Sequence, residues 1–311
     1  MKNIVTGGFG FIAGHLIQAL LERGDDVIAI DKKNVTPNHI EKLYEKYSKQ
    51  LIFVWKDLNR KEIGKDWIKG ADVVYHLAAE TNLKKSVDNP NRALRDDLLS
   101  TVNMLEACRE YSPLCRFVFT SSAAVYGSVK LDKISEGEVG TSEIISPYGL
   151  NKRASELYIE LYRTLYGLST VCVRLFNVYG PGQLNLQVAI PSFILSMLRG
   201  EHIKIRGDGF QTRDFVYVSD VVKALLLMGG NNHTGIYNVG TGTAYSLMDL
   251  IMYLVSHMKK KFYVDNLPEL EWDIRHNCSD ISLIEKMVGW EPEVILEEGV
   301  IDTIEYYKQM I

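Results

Sequence analysis

A short apolar run, Ile4-Val5, passes directly into Thr6-Gly7-Gly8-Phe9-Gly10-Phe11-Ile12-Ala13-Gly14. What flanks this glycine-rich turn constrains the fold more than any other stretch of the chain. Leu16, Ile17, Leu20 and Leu21 follow at helical spacing, and Val27-Ile28-Ala29-Ile30 makes a second strand-like run ending in Asp31. The order strand, glycine turn, helix, strand is that of a parallel crossover unit. Glycines let such a turn approach a pyrophosphate, whose charge is favoured by the helix amino terminus. Asp31 stands about 20 residues beyond the turn, where a carboxylate can accept from an adenosine ribose. A dinucleotide site built on Gly7, Phe9, Gly10, Phe11, Ile12, Asp31 and Lys32 is the expectation. A carboxylate at position 31 repels a 2′-phosphate and favours NAD over NADP, whereas Lys32 and Lys33 could attract that phosphate.

Alternation continues after this unit. Residues 51–55, 72–77, 116–121 and 170–175 read as strands, and 91–111 and 146–166 as helices. The pattern predicts an α/β protein with a doubly wound parallel sheet. Ligands of such sheets bind beyond the carboxyl ends of the strands. Those ends carry Gly7 to Gly14, Asp31, Asp57 and Leu58, Leu77-Ala78-Ala79, and Ser121-Ser122-Ala123-Ala124. After about residue 176, Pro, Gly and aromatic residues become more frequent. Residues 1–176 are expected to form the dinucleotide-binding domain with the catalytic residues. Residues 177–311 would form mainly a smaller substrate-binding lobe, interleaved with the first.

Ser146-Pro147-Tyr148-Gly149-Leu150-Asn151-Lys152 carries the chemistry. Ser146 suits a helix cap, Pro147 the first helical position, and Leu150, Ala154, Leu157, Leu161 and Leu165 recur at helical spacing. Tyr148 and Lys152, four apart, then share a helix face. An ammonium there favours the phenolate and lowers a reference pKa of about 10, making the phenol a base toward a sugar or alcohol hydroxyl. Tyr126 and Lys130 have the same spacing but lack the helical pattern.

Composition excludes other classes. A formal charge of −4 with dispersed Lys and Arg leaves no footprint for nucleic acid. No long apolar run or leader pattern marks a membrane or export, and four scattered cysteines suit a reducing compartment, so the expected location is cytoplasmic. The histidines lack ligand spacing, so no metal is expected, and His76 reads as structural.

Taken together, Thr6-Gly7-Gly8-Phe9-Gly10-Phe11-Ile12, Asp31, His76-Leu77-Ala78-Ala79, Ser121 to Gly127, the Tyr148/Lys152 pair, Arg174 to Gly182 and Arg213 to Val221 are similar to the motifs of the extended short-chain dehydrogenases/reductases. The resemblance is to their NAD-dependent epimerase/dehydratase family, acting on nucleotide sugars, and it covers nearly the whole chain. It implies a Rossmann-type fold, with NAD held by the glycine turn, Asp31, Lys32, Asp57, Leu58, Leu77, Ala78, Ala79, Tyr148 and Lys152. It also implies that Tyr148 deprotonates a sugar C4 hydroxyl, Lys152 lowers the Tyr148 pKa, and Ser122 holds the C4 oxygen. Asn177, Arg213, Arg275 and Asn277 would contact the nucleotide sugar.

Dehydratases of the family carry Asp-Glu where this chain has Ala123-Ala124, and the decarboxylases carry a Glu at the second position. The expectation is therefore a UDP-hexose or UDP-N-acetylhexosamine 4-epimerase working through a 4-keto intermediate. A 4-keto-sugar reductase and then a 4,6-dehydratase are the alternatives, with a non-catalytic NAD sensor as a different class. Departures from the family are Leu270-Glu271-Trp272-Asp273 in place of Arg-Pro-Gly-Asp, Asp97 in place of Asn, and Ala13 at the third glycine position. Family members are commonly homodimers, for which residues 91–111 and 146–166 are the candidate contact.

Overall fold

Strands β1 (Lys2–Thr6), β2 (Asp26–Asp31), β3 (Leu51–Trp55), β4 (Val73–His76), β5 (Arg116–Ser122) and β6 (Ser169–Leu175) follow the apolar runs of the sequence. Further along lie β7 (Asn177–Tyr179), β8 (Ile203–Arg206), β9 (Thr212–Tyr217), β10 (Gly235–Val239), β11 (Ala244–Ser246) and β12 (Val264–Leu267). Helices of the first half are α1 (Phe11–Glu22), α2 (Asn38–Tyr47), α3 (Lys65–Ile68), α4 (Leu83–Asp88), α5 (Pro90–Ala93), α6 (Ser100–Tyr111) and α7 (Pro147–Tyr166). In this computed structural model the described residues are 1–32, 37–60, 65–140, 142–270 and 274–310. Lys33 and Glu271-Trp272-Asp273 lie outside them.

Seven strands form one sheet in the order β10-β6-β5-β4-β1-β2-β3. The pairs β1/β2, β1/β4, β2/β3 and β4/β5 are parallel. The order runs outward in both directions from β1 and β4, the doubly wound Rossmann arrangement, whose switch point lies between those two strands. Because helices cover both faces of such a sheet, its strands are apolar without alternation. Ile4, Val5, Val27, Ala29, Ile30, Val73, Val74, Phe117, Val118 and Phe119 are all buried.

The chain divides into two compact units, one of Met1–Val125, Ser146–Arg174 and Val222–Tyr237, the other of Tyr126–Ile145, Leu175–Val221 and Asn238–Ile311. The second has its own core, which includes Tyr179, Phe193, Ile194, Leu250, Leu254, Val300 and Ile304. A three-stranded sheet β11-β9-β7 and a parallel pair β12-β8 belong to it. Buried Asp214 organises its loops by accepting from the backbone N–H groups of Thr241, Gly242 and Ser279.

Helix α7 forms as its sequence dictates. The Ser146 hydroxyl accepts from Gly149 N at 3.1 Å, Pro147 occupies the first turn, and Gly167 ends the helix at φ +72°. Its orientation is less ordinary. The face turned inward carries Tyr148, Asn151, Lys152, Ser155 and Glu156, while Leu150, Leu157, Leu161 and Leu165 are 46–60% exposed. The leucine periodicity marks the helix but not its buried face. The predicted helix 91–111 is also interrupted, with a π-helical segment, Leu94–Leu99, between α5 and α6.

A buried ion pair fixes α7 to the sheet. Glu156 accepts from Arg174 Nε and Nη2 of β6, each at 2.8 Å, and from Ser121 Oγ of β5 at 2.6 Å. Removing one member strands the other charge in the core. Glu156→Ala should lower unfolding free energy by about 3–5 kcal/mol in urea titration; a loss below about 1 kcal/mol would contradict the role assigned to this pair.

Candidate active site

The glycine turn leaves β1 and enters α1 with no slack for side chains. Gly7 sits at φ +65°, and a Cβ there would lie 2.9 Å from the Ala78 backbone. At Gly8 a Cβ would meet that of Ala29 on β2 at 2.8 Å. Gly10 caps α1 without a side-chain hydrogen bond, and no acidic residue enters the first turn. Phe11 and Ile12 therefore begin a helix whose amino end favours an anion. Asp31 closes the turn, one carboxylate oxygen accepting from Phe9 N at 3.1 Å. These features fit a dinucleotide, since the backbone is bare where a pyrophosphate approaches and a carboxylate stands at the end of β2. Lys32 donates to Asp96 at 2.7 Å, so its ammonium is engaged by a carboxylate, which favours NAD over NADP.

The remaining sheet-end residues belong to the same unit. Asp57 accepts from Asn59 N, and the Leu58 carbonyl accepts from Asn103. Leu77, Ala78 and Ala79 form the turn after β4. Ala78 N donates to Thr6 Oγ1 at 3.2 Å, which in turn meets His76 Nδ1 at 2.8 Å. On the other ring side, His76 Nε2 meets Thr101 Oγ1 at 3.1 Å, and that hydroxyl donates to the Asp97 carbonyl at 2.6 Å. The Thr101 proton being committed, His76 Nε2 must donate and Nδ1 accept, a neutral imidazole. Burial agrees, pushing His76 down to about 3. The histidine is a structural link, as the sequence suggested.

Tyr148 and Lys152 are brought together with Ser122 at the carboxyl end of β5. Lys152 is 2% exposed and donates through Nζ to the Thr120 carbonyl at 2.7 Å. Its Nζ also lies 4.5 Å from the Phe119 ring centroid and 5.9 Å from that of Tyr148. Burial pulls Lys152 down to about 8, against the field of Asp97 and Glu156. Tyr148 is pushed well above the usual phenol range by burial and then by Asp97, with a Ser122 hydrogen bond pulling the other way. This differs from the lowering that spacing alone suggests, because desolvation of the phenolate outweighs any help from an ammonium directed at Thr120. Ser122 Oγ also accepts from Ala124 N at 3.2 Å.

In the second unit, Asn177 donates to the Asp214 carbonyl at 3.1 Å. Arg213 donates to the carbonyls of Thr212 and Ile274 at 2.9 and 2.6 Å. Arg275 makes a bidentate pair with Asp208 at 2.7 and 2.9 Å, both exposed. Asn277 is 7% exposed, and its Oδ1 has no hydrogen-bond partner among the described residues. Among the described residues no cluster of ligating side chains suits a metal, and no helix is long and apolar enough to cross a membrane.

Sequence reasoning missed the Glu156–Arg174–Ser121 network and the Thr6–His76–Thr101 chain. The available signals were an acid one turn beyond Lys152 and an arginine inside an apolar strand.

Residues 3–240 match the NAD dependent epimerase/dehydratase family. A putative UDP-glucose 4-epimerase of Methanocaldococcus jannaschii is 38% identical over 312 residues, 98% of each chain. The UDP-glucose 4-epimerase of Thermotoga maritima, solved with UDP-glucose, superposes with a TM-score of 0.91 at 32% identity, covering 100% of this chain and 99% of that one. UDP-glucuronic acid decarboxylase 1 of Arabidopsis thaliana is 29% identical over 304 residues, 96% of this chain and 68% of its own.

The glycine turn yields a direct test. Gly7→Ala should weaken NAD affinity by about tenfold or more in calorimetric titration, since the new Cβ strains a positive φ and presses on Ala78; unchanged affinity would remove the turn from the site.

Proposed function

The chain belongs to the NAD dependent epimerase/dehydratase family, and on that premise we propose that it interconverts the C4 epimers of a UDP-linked hexose or N-acetylhexosamine through a transient 4-keto sugar. The observation that carries this reading is the group of buried Tyr148 and Lys152 with partly buried Ser122, which Ala123 and Ala124 follow in the chain. A 4,6-dehydration needs an acid and a base at those two alanines; a hydride shuttle does not.

Bound NAD supplies the hydride acceptor at C4 and the donor on the return. Tyr148 takes the C4 hydroxyl proton and later restores it, while the Ser122 hydroxyl holds the C4 oxygen. Burial and the field of Asp97 make the bare phenolate costly, and the Ser122 hydrogen bond offsets part of that cost. Since proton and hydride both return to the sugar, turnover consumes no cofactor.

From the second unit, Arg213 and Arg275 are assigned to the diphosphate, Arg275 exchanging Asp208 for phosphate oxygens; a planar guanidinium suits both partners. Asn177 is assigned to the nucleotide sugar and Asn277 to the C2 substituent, where its intermediate size leaves both hexose and N-acetylhexosamine open. The names of the M. jannaschii and T. maritima relatives support a UDP-linked substrate. Leu270 stands where the family has a phosphate-binding Arg, which leaves more of the nucleotide contact to Arg213 and Arg275.

The same reading includes a homodimer. Leu150, Leu157, Leu161 and Leu165 on α7 and Leu94 and Leu99 before α6 are 38–60% exposed, an apolar surface that a second copy would cover. Leu157→Glu with Leu161→Glu should give a folded monomer in analytical ultracentrifugation where the parent sediments as a dimer. A parent that is already monomeric would refute it.

Proton NMR tests the activity. With NAD and no reductant, at least one of UDP-glucose, UDP-galactose, UDP-N-acetylglucosamine and UDP-N-acetylgalactosamine should convert to its C4 epimer. Tyr148→Phe should slow the conversion by about 10²–10⁴-fold at saturating NAD. Four unchanged sugars in the presence of bound NAD would overturn the proposal.

A further inference from the structure

Two buried carboxylates, Asp97 and Glu156, act on the Lys152 ammonium from inside the first unit. Glu156 is already saturated by Arg174, Arg153 and Ser121. Asp97 is 1% exposed, and among the described residues no cation lies at ion-pair distance from it. Its Oδ1 accepts from Glu80 N at 2.8 Å, in the turn that continues from Leu77-Ala78-Ala79. Its Oδ2 accepts from Nδ2 of Asn151, the neighbour of Lys152, at 3.4 Å. Its backbone carbonyl ends the hydrogen-bonded chain from Ala78 through Thr6, His76 and Thr101. The π-helical segment Leu94–Leu99 accounts for this placement, because its wider turn allows the adjacent Asp96 and Asp97 both to be buried.

We propose that Asp97 is a positioning residue for the proton transfer at Tyr148: its carboxylate clamps the turn after β4 to α7 and, when ionised, keeps Lys152 an ammonium while opposing the Tyr148 phenolate. The inference rests on Tyr148 being the base of the preceding subsection. One buried negative charge raises the proton affinity of both neighbours, so removing it lowers both. The other charged groups around Asp97 are balanced. Asp96 is held by Lys32 and Arg92, Glu80 lies 3.9 Å from Lys85, and His76 is neutral. Burial pushes the Asp97 carboxyl itself up to about 6, so its charge changes within the working range.

Asp97→Asn keeps the oxygen that accepts from Glu80 N, removes the charge and replaces the oxygen facing Asn151 Nδ2 by an amide NH2, a change of contact that does not vary with pH. The test is kcat/KM for UDP-sugar epimerisation from pH 5 to 9 in the parent and in Asp97→Asn, with Tm recorded at each pH. The expected result is a profile displaced to lower pH by about one unit, most visibly at the alkaline limb set by Lys152 near 8, so that the parent-to-variant ratio grows roughly tenfold toward pH 9. A structural role alone would lower the rate equally at every pH and overturn the proposal. The thermal arm has its own sign. A carboxyl raised above its unfolded value destabilises the fold once ionised, and this penalty disappears as pH falls below about 6. The parent should therefore gain Tm relative to the variant between pH 7 and pH 5, and a constant difference overturns the charge assignment. If the parent epimerises none of the four UDP-sugars, the functional reading fails and the thermal arm alone decides on Asp97. If the variant does not fold, NMR of the parent labelled with ¹³C at its aspartate carboxyls decides: one must titrate near 6, and none doing so overturns the proposal.

Discussion

Keeping an ammonium in the core at Lys152 is the constraint around which the first unit is organised. An isolated buried cation is costly, and proteins hold one only with hydrogen bonds and compensating charge. Here the compensation comes from the Thr120 carbonyl, the face of Phe119 and the fields of Asp97 and Glu156. Each of these belongs to a different piece of backbone, so the requirements of one side chain help tie β5, α7 and the π-helical segment together. The inward face of α7 is polar for this reason. Its leucines turn outward because the space against the sheet is taken by Tyr148, Asn151, Lys152, Ser155 and Glu156.

The same economy appears across the switch point. Thr6 at the end of β1, His76 at the end of β4 and Thr101 on α6 form one directed chain of hydrogen bonds through a neutral imidazole. The turn after β4, expected to lie against the cofactor, is fixed by this neutral chain together with the Asp97 carboxylate on Glu80 N. Glycines do the corresponding work after β1, where Gly7 and Gly8 leave no room for a Cβ.

Much of this was legible in the sequence because it depends on local rules. The first six strands, the glycine turn, the acid ending β2 and the Ser146-Pro147 start of α7 are patterns that neighbouring residues enforce on one another. Three things were hidden. The buried face of α7 could not be read from its leucines, since periodicity reports a helix without saying what covers each side. The interruption at Leu94–Leu99 has no proline or glycine to announce it. The pairing of Glu156 with Arg174 joins residues from separate elements, and only the fold brings them within 2.8 Å. The rise in the Tyr148 pKa was likewise invisible, since spacing reveals a neighbouring cation but not the desolvation that outweighs it.

The central claim is that one buried phenol and one ammonium move a proton while the hydride leaves C4 and returns to it. UDP-galactose carrying deuterium at C4 tests this most directly, with product examined by NMR and mass spectrometry after conversion in ordinary water. The account predicts UDP-glucose that retains the deuterium at C4, because the label never exchanges with solvent. Epimerised product with hydrogen at C4 would contradict it, since inversion would then proceed through a proton drawn from water.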